Sequence, residues 1–260
     1  MTGIDLHTHT AFDHGANTPE EMVKKALELK MDCIGLCIHA HDLSDEDWTA
    51  SPEGMKNFRT EVERLKEQYG PKIWILCGVE MDYYSDVPAE GFDYVIGSVH
   101  WLDYDGELRS VDQSGEALLE TADRFANGDV LSVVEKYYDT VSKVLKKTHA
   151  DIIGHFDLIT KFNENGELFD VDDPRYKAAW QKAADRLLKS GKPFEINTGA
   201  MSRGYRTLPY PSKEIRDYIH EKGGYLLLSS DAHDRENLMH RFEAYEQETD
   251  PEAYDFLQEL

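Results

Sequence analysis

The sequence predicts an α/β fold built from seven β/α units, and three observations predict it. Short apolar runs alternate with amphipathic stretches along all 260 residues, the pattern of repeated βαβ units. No Pro/Gly/Ser-rich linker, low-complexity tract or internal repeat divides the chain, so one domain is expected over residues 1–260. The residue types that bind metals gather at the C-terminal ends of the apolar runs. Seven right-handed crossovers either close into a barrel or leave an open doubly wound sheet. A chain of this length is long enough to bury one sizeable core in either case.

The elements follow in order. "GIDLH" at 3–7 is the first strand. A helix opens at "TPEEMVKKALELKM", with Thr18 as N-cap, Pro19 at the first helical position and Glu21 three residues after the cap. "CIGLCIHA" at 33–40 is the second strand, and "EGMKNFRTEVERLKEQYG" the next helix, ended by Gly70. "KIWILCGVEMDY" and "FDYVIGSVHWL" are the third and fourth strands, followed by helices at "GEALLETADRF" and "DVLSVVEKYYDTVSKVLKKTH". "ADIIGHFDL" is the fifth strand, "PRYKAAWQKAADRLLKSG" a helix, "PFEINTG" the sixth strand and "SKEIRDYIHEKGG" a helix. "YLLLSSDAH" is the last strand, and the tail from Asn237 reads as a final helix.

Composition narrows the function. A formal net charge of −23 opposes a basic groove for nucleic acid, since backbone phosphates would be repelled. Cys33, Cys37 and Cys77 lie in apolar runs and form no disulfide framework, which suits buried thiols in a reducing compartment. No basic-then-apolar leader opens the sequence, because Asp5 and His7 interrupt it, and no apolar run approaches a membrane span. A cytoplasmic protein with no membrane partner is expected; oligomeric state is left unassigned.

The polar residues share one register. His7 and His9 end the first strand and His14 follows in the loop. His39 ends the second strand, Glu80 the third, His100 the fourth and His155 the fifth, while Asp231 and His233 end the seventh. In a β/α barrel these ends converge on one face, where active sites of that architecture lie. Seven of the eleven histidines thus meet in one pocket, which scattered core or surface histidines have no reason to do. Zinc usually takes about four ligands, so this set implies two or three ions, with Glu80 the natural bridge. Mixed nitrogen and oxygen donors suit Zn, Mn or Fe. Asp5 reads either as support for a histidine ring or as a buried structural acid.

At this point the sequence resembles the polymerase and histidinol phosphatase (PHP) superfamily. "DLHTHT", "FDHGA", "IHAH", "GVEMDY", "GSVHWL", "IIGHFDL" and "SSDAH" match its motifs in order between residues 5 and 233. "AFDHG", "VEKYYDTV", "EINTGAMSRG" and "YPSKEI" bring it nearest the histidinol-phosphate phosphatases. The resemblance implies a distorted (β/α)7 TIM-like barrel, a trinuclear metal centre and hydrolysis of a small phosphomonoester. It implies His7, His9, Glu80 and Asp231 around one ion, Glu80, His100 and His155 around a second, and His14, His39 and His233 around a third. "CIHAH" stands where many members have "TDH", leaving His39 and His41 as rivals, with His39 preferred for its place at the strand end.

Phosphate-ester hydrolysis needs a nucleophile at neutral pH, which a hydroxide bridging two ions would provide. It also needs a cation on the phosphoryl oxygens and a proton for the leaving alkoxide. Arg203, after the sixth strand, is the candidate cation, with Arg206 as competitor and a surface arginine as the plain alternative. Asp231 or His233 is placed to pass the proton. Asn197 reads as a substrate contact or a turn former, Trp101 as a pocket wall or core filler, and Lys161 as a phosphate ligand or surface lysine.

Overall fold

The computed structural model describes residues 3–41 and 49–260. Nine strands occur among them: β1 (Ile4–Thr8), β2 (Cys33–His39), β3 (Trp74–Asp82), β4 (Tyr94–Ser98), β5 (Trp101–Tyr104), β6 (Glu107–Ser110), β7 (Ile152–Ile153), β8 (Phe194–Asn197) and β9 (Leu226–Ser229). Seven of them form one parallel sheet in the order β1-β2-β3-β4-β7-β8-β9, and β5 and β6 pair separately as an antiparallel hairpin. Thr8 bridges to Ala232 just beyond β9, and the His9 N–H donates to the Ala232 carbonyl at 2.8 Å. The first and last strands therefore meet, and the sheet is nearly closed into a barrel surrounded by helices. The alternative of an open doubly wound sheet falls away.

Local chemistry starts the helices where the sequence places them. Thr18 and Glu21 form a reciprocal capping box before the helix Pro19–Glu28, and Ser51 and Ser114 cap the helices Pro52–Tyr69 and Gly115–Phe125. These caps satisfy N–H groups that the first helical turn leaves without partners. Met22, Val23, Met55, Phe58 and Val62 then pack on the outer face of the sheet, against Ile34, Leu36, Ile75 and Val79. Inside the barrel a second cluster joins Ile4, Leu6, Cys37, Leu76, Tyr94 and Leu227 to Tyr254 and Leu257 near the C-terminus. Strands buried on both faces read as continuous apolar runs, which is why they are plain in the sequence.

Three expectations change. The run 92–102 is not one strand: β4 stops at Ser98 and the chain restarts as the β5–β6 hairpin. Asp105 and Gly106 turn it, with φ of 54° and 90°, the conformation that Asp-Gly hairpin turns favour. The helix expected at 129–149 is two, Val130–Val141 and Val144–Thr148. Between them the Ser142 hydroxyl donates to the Asp139 carbonyl at 2.7 Å, competing with the helical ladder. The tail beyond Asn237 is not one helix but an α-helical turn, Phe242–Tyr245, followed by 3-10 segments at Glu246–Glu248 and Pro251–Glu259; Met239 and Arg241 take positive φ and Pro251 has no N–H to donate. Among the described residues no helix is long and apolar enough to cross a membrane. Burial pushes the Cys33 and Cys37 thiols up to about 12, and among the described residues no cysteine joins a cluster able to hold a metal.

Candidate metal centre

The β1–β2 register shifts between Asp5 and Thr8, and this irregularity aims the site. Leu6 belongs to the apolar cluster inside the barrel, yet its neighbour His7 also reaches inward, to Glu80 and Glu195. A regular strand would send adjacent side chains to opposite faces; a bulge re-aims one. Asp5 points elsewhere, accepting from the N–H groups of Ser230 and Met239, both at 3.1 Å. It ties β1 to the segment after β9 and touches no histidine ring among the described residues, so the structural-acid reading holds.

His7 Nδ1 donates to Glu195 Oε1 at 2.7 Å, and His9 Nδ1 to Asp13 Oδ2 at 2.7 Å. Those bonds turn both Nε2 atoms toward one point. They lie 3.1 Å from each other, 3.2 and 3.4 Å from Glu80 Oε2, and 3.8 and 3.6 Å from Asp231 Oδ1. Tetrahedral zinc with bonds of about 2.0–2.1 Å sets its ligand atoms about 3.3 Å apart, which these separations bracket. Facing lone pairs and carboxylates at such spacing repel unless a cation lies among them.

Glu80 also serves a second group. Its Oε1 is 2.9 Å from His155 Nε2 and 3.5 Å from His100 Nε2. Asp82 Oδ2 accepts the His100 N–H at 2.6 Å and stands 3.3 Å from its Nδ1. At the third position His39 Nδ1 lies 3.1 Å from Glu80 Oε2, and the Nε2 atoms of His14 and His233 meet at 2.5 Å. Ligand atoms of Asp13, His14 and His39 converge, as do those of His9, His39 and His233. Asp13 thus enters the candidate set. Among the described residues His41 belongs to none of these groups and its buried Nδ1 has no partner, so the geometry favours His39.

The electrostatics express the same demand for positive charge. Burial opposes protonation of His7, but Glu195, Glu80 and Asp231 outweigh it and hold its pKa well above the ordinary value. Burial likewise opposes charge on His9 and His100, yet Asp13 and Asp82 carry each to about 9. His39 and His233 go well below their usual value because burial dominates. Burial would raise Glu80 and Asp231, but the imidazoles around Glu80, and Arg203 and the imidazoles around Asp231, drive both well down.

The centre opens into a cavity of about 680 Å³ whose walls include Trp101, Lys161, Arg203 and Tyr205. Arg203 is closer to the centre than its sequence position required. Its Nη1 donates to the Asp231 carbonyl at 2.8 Å and lies 2.7 Å from His233 Nδ1, and its Nη2 donates to Asp231 Oδ2 at 3.1 Å. Asp231 has φ of 46°, and a Cβ on Gly199 would come within 2.7 Å of its carboxylate; only glycine lets that strand end approach so closely. Lys161 Nζ donates to Asp112 Oδ2 at 2.9 Å on the cavity wall.

Two expected substrate contacts are corrected. Arg206 is buried, donates to the Thr160 carbonyl at 2.7 Å, lies over the Tyr210 ring and does not line the cavity. Asn197 is fully buried, donating to Glu195 at 3.2 Å and accepting the Gly199 N–H at 2.9 Å, so the turn-forming role prevails. Asp13, Asp82 and Glu195, each holding a histidine ring or its strand end, escaped the sequence reading.

A sequence profile of the PHP domain matches residues 5–199. The chain belongs to the PHP family. Within reach of this PHP protein is a probable histidinol-phosphatase of Schizosaccharomyces pombe, 27% identical over 255 residues that cover 88% of this chain and 80% of the relative. A probable histidinol-phosphatase of Deinococcus radiodurans is 27% identical and covers 93% and 91%. Among solved structures, a candidate histidinol phosphatase, HisK of Listeria monocytogenes, superposes with a TM-score of 0.78 at 21% identity, covering 93% and 99%. HisK of Lactococcus lactis, complexed with zinc, L-histidinol and phosphate, superposes at 0.61 with 18% identity, covering 90% and 87%.

Proposed function

We propose that this PHP protein is a metal-dependent phosphomonoesterase that hydrolyses L-histidinol phosphate to L-histidinol and phosphate. The observation that carries the reading is Glu80, one buried carboxylate whose two oxygens serve two separate sets of imidazoles. His7, His9 and Asp231 would complete one ion's shell and His100 and His155 a second, with His14, His39 and His233, joined by Asp13, for a third. Zinc, manganese or iron fits these donors. When bound, such ions supply Lewis acidity and lower the pKa of water to about 7.

The chain's own residues do the rest. Arg203 presents a guanidinium at the cavity wall, where a phosphoryl group entering beside the imidazoles meets its planar fork. Lys161, held by Asp112, adds a second cation on the same wall. Asp231 or His233, both unprotonated at rest, would take the proton that the attacking water gives up and pass it to the departing alkoxide. Trp101, at the base of the β5–β6 hairpin, forms a wall for the organic part of the substrate. The 27% identical relatives named histidinol-phosphatase support the choice of substrate. Three buried free thiols accord with a reducing, cytoplasmic setting.

A substrate screen at matched metal loading tests this reading. L-Histidinol phosphate should have the highest kcat/KM among histidinol phosphate, mononucleotides and phosphotyrosine. A higher value on a nucleotide or on phosphotyrosine would leave the phosphoesterase and replace its substrate. No turnover of any of them by metal-loaded protein would leave only a metal-stabilised binding domain.

A further inference from the structure

Glu195 sits in β8 with no exposure, and it is not one of the atoms that converge on the candidate metal positions. Its two oxygens are divided between ligands of different groups. Oε1 accepts from the His7 ring at 2.7 Å; Oε2 accepts the backbone N–H of His155 at 2.9 Å and the Asn197 side-chain amide at 3.2 Å. A fully buried carboxylate is strongly unfavourable unless its oxygens are satisfied, and here every partner belongs to the site or adjoins it.

We propose that Glu195 is a positioning residue that ties the His7 position to the His100/His155 position. This rests on the metal-centre part of the proposed function. One oxygen keeps the proton of His7 on Nδ1, leaving Nε2 to face Glu80 and an ion. The other fixes the strand end from which His155 projects. The tie requires a carboxylate. A glutamine of the same shape has one acceptor oxygen and one NH₂, and all three neighbours, the His7 ring, the His155 N–H and the Asn197 amide, are N–H donors. Turned toward His155, the amide oxygen leaves the NH₂ against His7; the ring must then accept on Nδ1 and carry its proton on Nε2, the atom the ion needs. Turned toward His7, it sets NH₂ against the N–H of His155.

Asp13 repeats the device on the other side of the centre. Its Oδ2 accepts from the His9 ring at 2.7 Å and from the backbone N–H of His39 at 3.1 Å. In both cases one carboxylate holds the ring of one ligand and the main chain of another. The repetition separates the arrangement from a chance burial of acid.

The test is a zinc titration of metal-free wild type and Glu195→Gln against a chromophoric chelator, with thermal midpoints recorded with and without zinc. Partners of ligating histidines are typically worth roughly 10–100-fold in metal affinity. Glu195→Gln should weaken the two tightest sites together by that factor, while the metal-free midpoint stays near wild type and the zinc-induced rise shrinks. Wild-type affinity in the folded variant overturns the proposal, and so does a loss confined to one site. If the variant fails to fold, the imidazole ¹⁵N spectrum of zinc-loaded wild type decides: a proton on His7 Nδ1 is expected, and a proton on Nε2 overturns it. Wild type that binds no zinc would overturn the functional reading beneath; an unaffected variant of a zinc-binding wild type overturns this inference alone.

Discussion

The interior of the barrel has two layers written on the same strands. Near the strand starts, Leu6, Cys37, Leu76 and Tyr94 pack together and the tail covers them with Tyr254. At the strand ends, His39, Glu80 and His155 occupy the same inward direction and face a cavity. β2 and β3 pass from one layer to the other in two or four residues, from Cys37 to His39 and from Leu76 to Glu80. β1 needs the slip after Asp5 to do it. The lower layer excludes water and has its polar atoms paired: the Tyr94 hydroxyl donates to the Leu6 carbonyl and sits 3.2 Å from Cys37 Sγ. The upper layer gathers lone pairs that only protons or metal ions satisfy. Stability concentrates in one layer and chemistry in the other, as barrel architecture separates them.

The largest effect that would break this comparison is in the upper layer. Glu80→Gln keeps the side chain's shape but removes the charge shared by two imidazole sets. Metal content should fall by at least one ion. Loss of several kcal/mol of charge stabilisation corresponds to a fall in kcat of about three orders of magnitude or more. Elemental analysis and phosphate release on one preparation check both; full stoichiometry with near-normal turnover would remove Glu80 from the bridge.

Arg203 comes next. Charge-assisted hydrogen bonds are worth roughly 1.5–3 kcal/mol each, so Arg203→Met should lower kcat/KM by about one to two orders of magnitude. Arg203→Lys should recover only part, because an ammonium lacks the bidentate fork. The guanidinium's contacts with Asp231, assigned to the first ion, and with His233, assigned to the third, mean that both of those positions loosen as well, while the His100/His155 position stays. Kinetics and metal content measured together separate the two; unchanged kinetics in the methionine variant would shift the phosphate contact to Lys161.

The lower layer should answer in the opposite way. A Cβ at Gly78 would collide with the Tyr94 ring, and overpacking of this kind destabilises by about 1–3 kcal/mol. Gly78→Ala should lower the thermal midpoint while the folded protein keeps its metal stoichiometry. Loss of metal in that variant without loss of stability would show that the layers are not separate.

The smallest effect is on pH. His9 and His100, raised to about 9, are protonated in metal-free protein at neutral pH. Their contribution to metal-free stability is fully present below the unfolded pKa of about 6.5 and is lost as pH rises through about 9. Metal must displace those protons, so affinity should climb over the same window and binding should release protons. Calorimetry in buffers of different ionisation enthalpy reads the release; zinc binding without proton uptake by the buffer would contradict it.

Much of this was legible because two periods carry it. The Thr18–Glu21 capping box and the inward register at His39, Glu80 and His155 are local patterns, and local patterns survive in a bare sequence. Glu195 was equally legible in principle: it lies two residues before Asn197 within an apolar strand, where alternation sends it inward, yet an acid between Phe194 and Ile196 resembles no ligand motif. The β5–β6 hairpin has its Asp105–Gly106 signal, masked by the apolar Trp101–Leu102, which extends the apolar run of β4. Asp13, and the choice between Arg203 and Arg206, depended on loop paths that no periodicity encodes.

Anomalous diffraction from crystals of zinc-loaded protein soaked in phosphate tests the central claim most directly. Zinc-edge peaks should lie between His7, His9, Glu80 and Asp231 and between Glu80, His100 and His155, with phosphate between them and Arg203. Crystals with zinc only at surface acids, or with the imidazole layer free of anomalous density, would contradict the account.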